Sequence, residues 1–313
     1  MKKQQEVKGA FLGLAIGDAL GVPVEFVNRR SLKGNPVKDY REGGLWDQPA
    51  GTFSDDSSMA FCLAESLCRG YDPEDMGRLF VRWYEEGYWG AHNECFDIGI
   101  TTRKALGRIE EGTPAVQAGG FGESENGNGS LMRILPLVFY LQGIDHPLER
   151  YQKVKEVSSI THAHFRSVFA CFIYCEFALE LLKEKGKEEA FQDAINTVNK
   201  FVKSQSLNSG EVGLFKRVLD GSLLMAREEE IESEGYVLHT LEAGIWCLFT
   251  SESYEEAVLK AVNLGGDTDT TGAVTGGLAG ILYGYESIPE EWIKGLAKRQ
   301  DIVGLALRLA ENL

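Results

Sequence analysis

The chain has 313 residues, 43% hydrophobic and 25% charged, an ordinary balance for a globular protein and ample for a sizeable core in one large or two small domains. A formal net charge of -15 with no basic face excludes nucleic acid as a main partner and argues against an anionic membrane surface. An anionic substrate would have to be met by local backbone donors or bound cations. The six cysteines, Cys62, Cys68, Cys95, Cys171, Cys175 and Cys247, contain no C-x-x-C pair and read as buried, reduced thiols of a cytoplasmic protein. Cys171 and Cys175 share a helical face, but no histidine or further cysteine nearby completes a zinc set.

The N-terminus begins Met-Lys-Lys and turns apolar, as a signal peptide does. Lys8, Asp18 and Glu25 interrupt the run, no small-residue cleavage pattern follows, and residues 9–24 are short for a bilayer. The stretch reads instead as a buried helix over residues 4–21. Gly9, Gly13, Gly17 and Gly21 line one face of it, at a cost of about 1 kcal/mol each relative to Ala. That row makes sense where another helix packs backbone to backbone, so this helix is placed at the centre of the fold. Asp18, between Gly17 and Ala19, is either a carboxylate capping a neighbouring element or a site residue. Pro23 stops the helix. Glu25 then stands between Val24 and Phe26, where partial desolvation raises a carboxyl pKa towards the acid–base range.

Residues 28–51 read as a long polar loop. Ser54-Asp55-Asp56-Ser57 precedes Met59, Phe61, Leu63 and Leu67 and reads as a capped helix start. One cap residue suffices, so two adjacent aspartates between serines are left over. Further helices are expected from Asp72 to about Tyr84 and over residues 96–110. The glycine-rich stretch 112–129, ending Asn126-Gly127-Asn128-Gly129-Ser130, leads into an apolar helix from Leu131 to Leu141. Such a loop can offer backbone N–H groups to phosphate, but no strand precedes it and position 132 is not glycine, so it is no dinucleotide fingerprint. Thr161-His162-Ala163-His164 joins helices at roughly 149–160 and 165–185; two histidines two apart do not share a helical face, which disfavours a zinc pair. Helical patterns continue at 187–205, 210–227, 238–249, 254–262, 273–282, 289–297 and 301–309. With no strand–turn–strand pattern, repeat or linker, one all-α domain over residues 1–313 follows.

Asn263-Leu264-Gly265-Gly266-Asp267-Thr268-Asp269-Thr270-Thr271-Gly272 puts two carboxylates and three hydroxyls at the mouth of a buried-looking helix. An EF-hand loop counted from Asp267 fails at position 12, which is Leu278. Capping alone leaves most of the oxygens without work. A hard divalent cation site, with the 54–57 cluster as its other half, uses them all. Clustered aspartates could hardly all ionise without cations, and two metal ions a few ångströms apart would be a natural solution.

At these residues the sequence resembles the ADP-ribosylglycohydrolase family, which includes the dinitrogenase reductase-activating glycohydrolases and the ADP-ribosyl-acceptor hydrolases. The matching stretches are Gly9 to Gly21 with Glu25, Thr52 to Met59, Phe96-Asp97-Ile98-Gly99, Asn128 to Arg133, Thr161-His162 and Asn263 to Gly272, in family order across nearly the whole chain. The resemblance implies an all-α, compact single domain with two Mg²⁺ (or Mn²⁺) in a central cleft. Its implied metal ligands are Ser54, Asp55, Asp56, Asp267, Asp269 and Thr270, with Thr268 and Thr271 in supporting roles. Asp55, Asp56 and Glu25 are the implied catalytic groups. Asp97, the Gly127, Asn128, Gly129 and Ser130 loop and His162 are the implied contacts to ADP-ribose. The implied reaction is metal-assisted hydrolysis of a glycosidic bond, releasing ADP-ribose from a modified arginine of a protein by a monomeric enzyme. Other linkages (ADP-ribosyl-serine, O-acetyl-ADP-ribose, an ADP-ribosylated nucleobase) use the same chemistry. A non-catalytic role is the third reading, since the family extends to lens crystallins; the intact Asp55-Asp56 and Asp267-x-Asp269 sets argue against it.

Overall fold

The computed structural model describes residues 1–312, which form sixteen α-helices joined by turns and short 3₁₀ segments. Among the described residues there is no strand. Three isolated bridges occur, Gly43 with Gln48, Gly120 with His162 and Gly127 with Tyr236. The expected all-α architecture is what forms, and one continuous apolar core runs from Val7 to Leu309.

Two helices make the spine, Lys2–Gly21 and Thr268–Tyr283. They run antiparallel, with Gly9 against Gly280, Gly13 against Gly276, Gly17 against Gly272 and Gly21 on the backbone of Asp269. A Cβ at Gly9, Gly13 or Gly17 would overlap the carbonyl of its partner. The close approach therefore needs glycine on both sides, and backbone packing offsets the helix cost. Gly284, which continues the spacing in sequence, lies past the helix end at φ +79°. Tyr254 and Tyr174 clamp the pair from outside, their hydroxyls donating to Gly13 O (2.8 Å) and Val274 O (3.2 Å). By length and composition the 23-residue stretch Lys2–Val24 could cross a membrane, contrary to the estimate from residues 9–24, but 89% of its apolar window is buried by these neighbours.

Several boundaries differ from the sequence reading, each for a local reason. A short helix, Arg29–Gly34, forms inside the expected loop, capped by the Asn28 side chain accepting from Ser31 N at 3.0 Å. The helix expected from residue 96 starts only at Ile100, because Asp97 takes a left-handed φ of 59°. The one expected from Leu131 starts at Leu135, with Pro136 in its first turn. The 210–227 pattern breaks into Ser209–Gly213, Lys216–Leu219 and a 3₁₀ turn, with Gly221 at φ 77° between the last two. The final spine helix starts at Thr268, five residues before the expected Ala273, and this change matters most for the site.

Candidate active site

The spine fixes the first two carboxylates. Gly21 lies on the Asp269 backbone, so Asp18, one turn earlier on its helix, faces the first turn of the partner helix. The third comes from the Asp55–Leu67 helix, whose N-cap Ser54 accepts from Asp56 N (3.3 Å) and donates its hydroxyl to Asp56 Oδ2 (2.9 Å). Asp18 ties this turn down: its Oδ1 accepts from Ser54 N (2.9 Å), and its Oδ2 accepts from Ser57 N (3.1 Å) and Ser57 Oγ (2.5 Å). Asp18 thus fills the capping role open to it. Oxygens of Asp18, Asp56 and Asp269 all lie within 4.8 Å of one another, and so do oxygens of Glu25, Asp97 and Asp269. Asp269 belongs to both trios.

The Asp267–Thr271 segment divides its work. Asp267 is the N-cap residue but makes no side-chain cap bond; its Oδ2 accepts from Asn128 Nδ2 at 2.8 Å instead. Thr268 Oγ1 donates to Gly21 O (2.8 Å) and Thr271 Oγ1 to Asp267 O (2.6 Å), supporting bonds that lock the turn. Thr270 donates its hydroxyl to Asp56 Oδ2 at 3.4 Å and its N–H to Asp269 Oδ1 at 3.0 Å. The preceding Gly265 and Gly266, at φ 77° and 75°, lie too close to Arg29 N and Ser233 O for any Cβ. Gly266 O accepts from Phe26 N (2.7 Å) and Gly266 N donates to Val27 O (3.0 Å), which docks the Glu25 loop over the cluster.

Burial dominates the electrostatics. Desolvation, and then the neighbouring carboxylates, push Asp55, Asp56 and Asp269 well above the ordinary range. Burial raises Asp18 to about 6, against the hydrogen bonds from Ser57 and Ser54. It also raises Asp97 to about 7. Glu25 reaches about 8, through burial and then the charge of Asp97. No Lys or Arg pairs with any of them among the described residues; the buried pair Arg150–Glu176 lies elsewhere. Helix N-termini at Asp55 and Thr268 give partial relief. Two oxygens, Asp56 Oδ1 and Asp269 Oδ2, are buried without any hydrogen-bond partner. Orphaned carboxylate oxygens in an oxygen-only cluster fit a hard cation, so these residues could hold a metal ion.

Beside the trios lies a cavity of about 290 Å³. Its lining includes Glu25, Asp55, Asp97, Asp267 and Thr270 together with Gly127, Asn128, Gly129 and His162. Asn128 spends its amide on Asp267 and Thr240 (2.9 Å). Its N–H donates to Gly235 O at 3.1 Å, so it shapes the wall more than it offers free donors. Ser130 does not reach the cavity: it is buried, with its hydroxyl between Cys171 Sγ (3.4 Å) and Ser158 Oγ (3.0 Å). His162 Nδ1 pairs with Thr161 Oγ1 at 2.8 Å. Burial, then the charge of Arg133, holds His162 down to about 3, so it is a neutral hydrogen-bonding group. Arg133 is 0% exposed and is held behind the loop by Gly129 O and by Val157 O (3.1 Å).

Ser54, Asp55, Asp56, Glu25, Asp97, Asp267, Asp269 and Thr270 are therefore brought together, although they come from four separate stretches of the chain. Sequence reasoning missed Trp46, whose indole N–H donates to Glu25 Oε2 at 2.5 Å, and Gly235 in the cavity wall. Neither carried a signal, since both sit in stretches without periodicity.

Comparison with known proteins identifies the family. A sequence profile described as ADP-ribosylglycohydrolase matches residues 1–313. The chain is 36% identical over 310 residues to a Pseudomonas putida (strain GB-1) protein named ADP-ribosylarginine hydrolase Tri1, covering 97% of this chain and 78% of that one. It is 30% identical over 302 residues to the ADP-ribosyl-[dinitrogen reductase] glycohydrolase of Rhodospirillum rubrum, covering 92% and 89% of the two chains. A solved structure titled "ADP-ribosylglycohydrolase-related protein complex" superposes with a TM-score of 0.81 at 35% identity, covering 99% of this chain and 98% of that one. A whole-length profile match, relatives above 30% identity and the superposed fold together place this chain in the ADP-ribosylglycohydrolase family, as one of its enzymes.

Proposed function

We propose that the enzyme hydrolyses the N-glycosidic bond between ADP-ribose and an arginine side chain of a modified protein, using two Mg²⁺ or Mn²⁺ ions. The observation that carries this reading is the pair of buried, unpartnered oxygens on Asp56 and Asp269. The similarity to proteins named ADP-ribosylarginine hydrolase, at 36% and 35% identity, supports the linkage. Ser54, Asp55, Asp56, Asp267, Asp269 and Thr270 would hold the ions, with Asp18, Glu25 and Asp97 completing the oxygen cluster.

When bound, divalent cations supply the positive charge that orients ribose hydroxyls and acidifies a water molecule. The chain's own residues supply the rest. Cleavage of a glycosidic bond develops positive charge on the sugar ring, and the carboxylate wall stabilises it. Proton handling falls to Asp55 and Glu25, since both line the cavity, whereas Asp56 is held by Ser54 and Thr270. Gly127, Gly129 and the neutral ring of His162 also line the cavity, and the anionic part of ADP-ribose would lie against them.

The test is to incubate the protein and Mg²⁺ with ADP-ribosyl-arginine, ADP-ribosyl-serine and O-acetyl-ADP-ribose and to assay free ADP-ribose. Release from ADP-ribosyl-arginine in preference to the other two is the expected result. Preference for either of the others reassigns the linkage, and no release from any of them overturns hydrolysis of these linkages.

A further inference from the structure

Trp46 lies outside every motif, yet it touches both segments that carry the outer carboxylates. It sits in a tight turn closed by Gly43 N donating to Gln48 O (2.8 Å) and Gln48 N to Gly43 O (3.3 Å). The turn is clamped on two sides. Gly44, at φ +79°, rests on the Pro23 backbone, where a Cβ would come within 2.5 Å of Pro23 O. Gln48 Nε2 donates to Glu94 Oε1 at 3.2 Å. From this frame Trp46 donates its indole N–H to Glu25 Oε2 at 2.5 Å and packs its ring on Phe96, with centroids 5.9 Å apart. Pro23 and Glu25 belong to one carboxylate's loop, and Glu94 and Phe96 lie just before the other carboxylate, Asp97, in the chain.

Both loops carry backbone strain at that point. Phe26 has φ 61° and Asp97 has φ 59°. A left-handed conformation is unfavourable for a non-glycine residue and persists only where its surroundings enforce it. The turn bearing Trp46 contacts both loops.

We propose that Trp46 is a positioning residue for the outer of two cation sites, holding Glu25 by hydrogen bond and Asp97 through Phe96 in register with Asp269. The inner site, built from Asp18, Asp56 and Asp269, is set by the spine and by the Ser54 cap and does not depend on Trp46. This inference rests on the proposed pair of cations, and the experiment separates the two.

The probe is Mn²⁺ alone, titrated into metal-free protein with free Mn²⁺ followed by electron paramagnetic resonance. Wild-type protein is expected to bind two Mn²⁺ per chain. Trp46→Phe keeps the ring on Phe96 but loses the donor. It is expected to retain one site unchanged and to weaken the other by about 10- to 100-fold, the usual cost of losing an outer hydrogen-bond partner. Trp46→Ala should weaken that same site further, and the melting temperature of metal-free Trp46→Phe should match wild type, since the turn stays clamped by Gly44 and Gln48. Two unchanged sites in both variants, or equal weakening of both sites, overturns the role of Trp46 while leaving the cation pair intact. A wild-type protein that binds fewer than two Mn²⁺ overturns the pair itself.

Discussion

Asp269 is costly to folding, and the proposed cation pair gives that cost a use. It is fully buried, one of its oxygens has no partner, and it is shared by both oxygen trios. Its carboxyl sits well above the ordinary range through burial and then the nearby charges of Glu25 and Asp56. Replacing it by asparagine keeps the shape, removes a crowded charge and adds a donor where acceptors abound. Asp269→Asn should therefore melt at a higher temperature than wild type in metal-free buffer at pH 7.5. It should also lose the stabilisation that Mg²⁺ gives wild type, and turnover should fall by more than about 100-fold, since ligand loss exceeds the usual cost of an outer-shell change. A variant that keeps both Mg²⁺ stabilisation and turnover removes Asp269 from the cation cluster.

At the scale of elements, the glycine rows carry the site as much as the acids do. Gly17 lies against Gly272, one residue from Asp18, and the next contact along the spine is Gly21 on Asp269. A methyl group at Gly17 has nowhere to go without separating two backbones. Gly17→Ala should cost about 3 kcal/mol by overpacking and reduce Mg²⁺ affinity, whereas Gly107→Ala, at a helical glycine with nothing within 4 Å of the added carbon, should stabilise by about 0.5–1 kcal/mol. Denaturant melts and Mg²⁺ titrations of the two variants check this. The row from Gly9 to Gly21 was legible in the sequence because four-residue spacing is helix geometry written directly in residue types. The Ser54–Ser57 and Asp267–Thr271 clusters were legible because so many hard oxygens exceed what capping needs. Trp46 was not legible, since its partnership with Glu25 is made by a turn closed through two backbone bonds and by a contact to Phe96 fifty residues on. The early start of the Thr268–Tyr283 helix was hidden by the polar residues of its first turn. Those residues look like loop when the burial conferred by the partner helix is unknown.

The whole molecule is left with a fold that concentrates carboxyl groups without basic partners at its centre while its net charge is already -15. Asp18 at about 6, Asp97 at about 7 and Glu25 at about 8 all lie above their unfolded values of roughly 3.9 to 4.3. Between those limits the folded protein binds more protons than the unfolded chain, so stability falls as pH rises. Metal-free protein should accordingly show its melting temperature dropping steadily from pH 5 to pH 8. The proposed cations would reverse the logic, because they would bind the ionised cluster and compete with the protons. At pH 8, Mg²⁺ at about a hundred times its dissociation constant contributes about 2.7 kcal/mol per site, which for a chain of this size is a rise of roughly 5 °C; at pH 5 the same Mg²⁺ should contribute much less. Thermal melts with chelator and with Mg²⁺ at four pH values between 5 and 8 read this directly. A metal-free melting temperature that is flat or rises across that window would show that these carboxyls are compensated within the protein, and the electrostatic case for bound cations would fall with it.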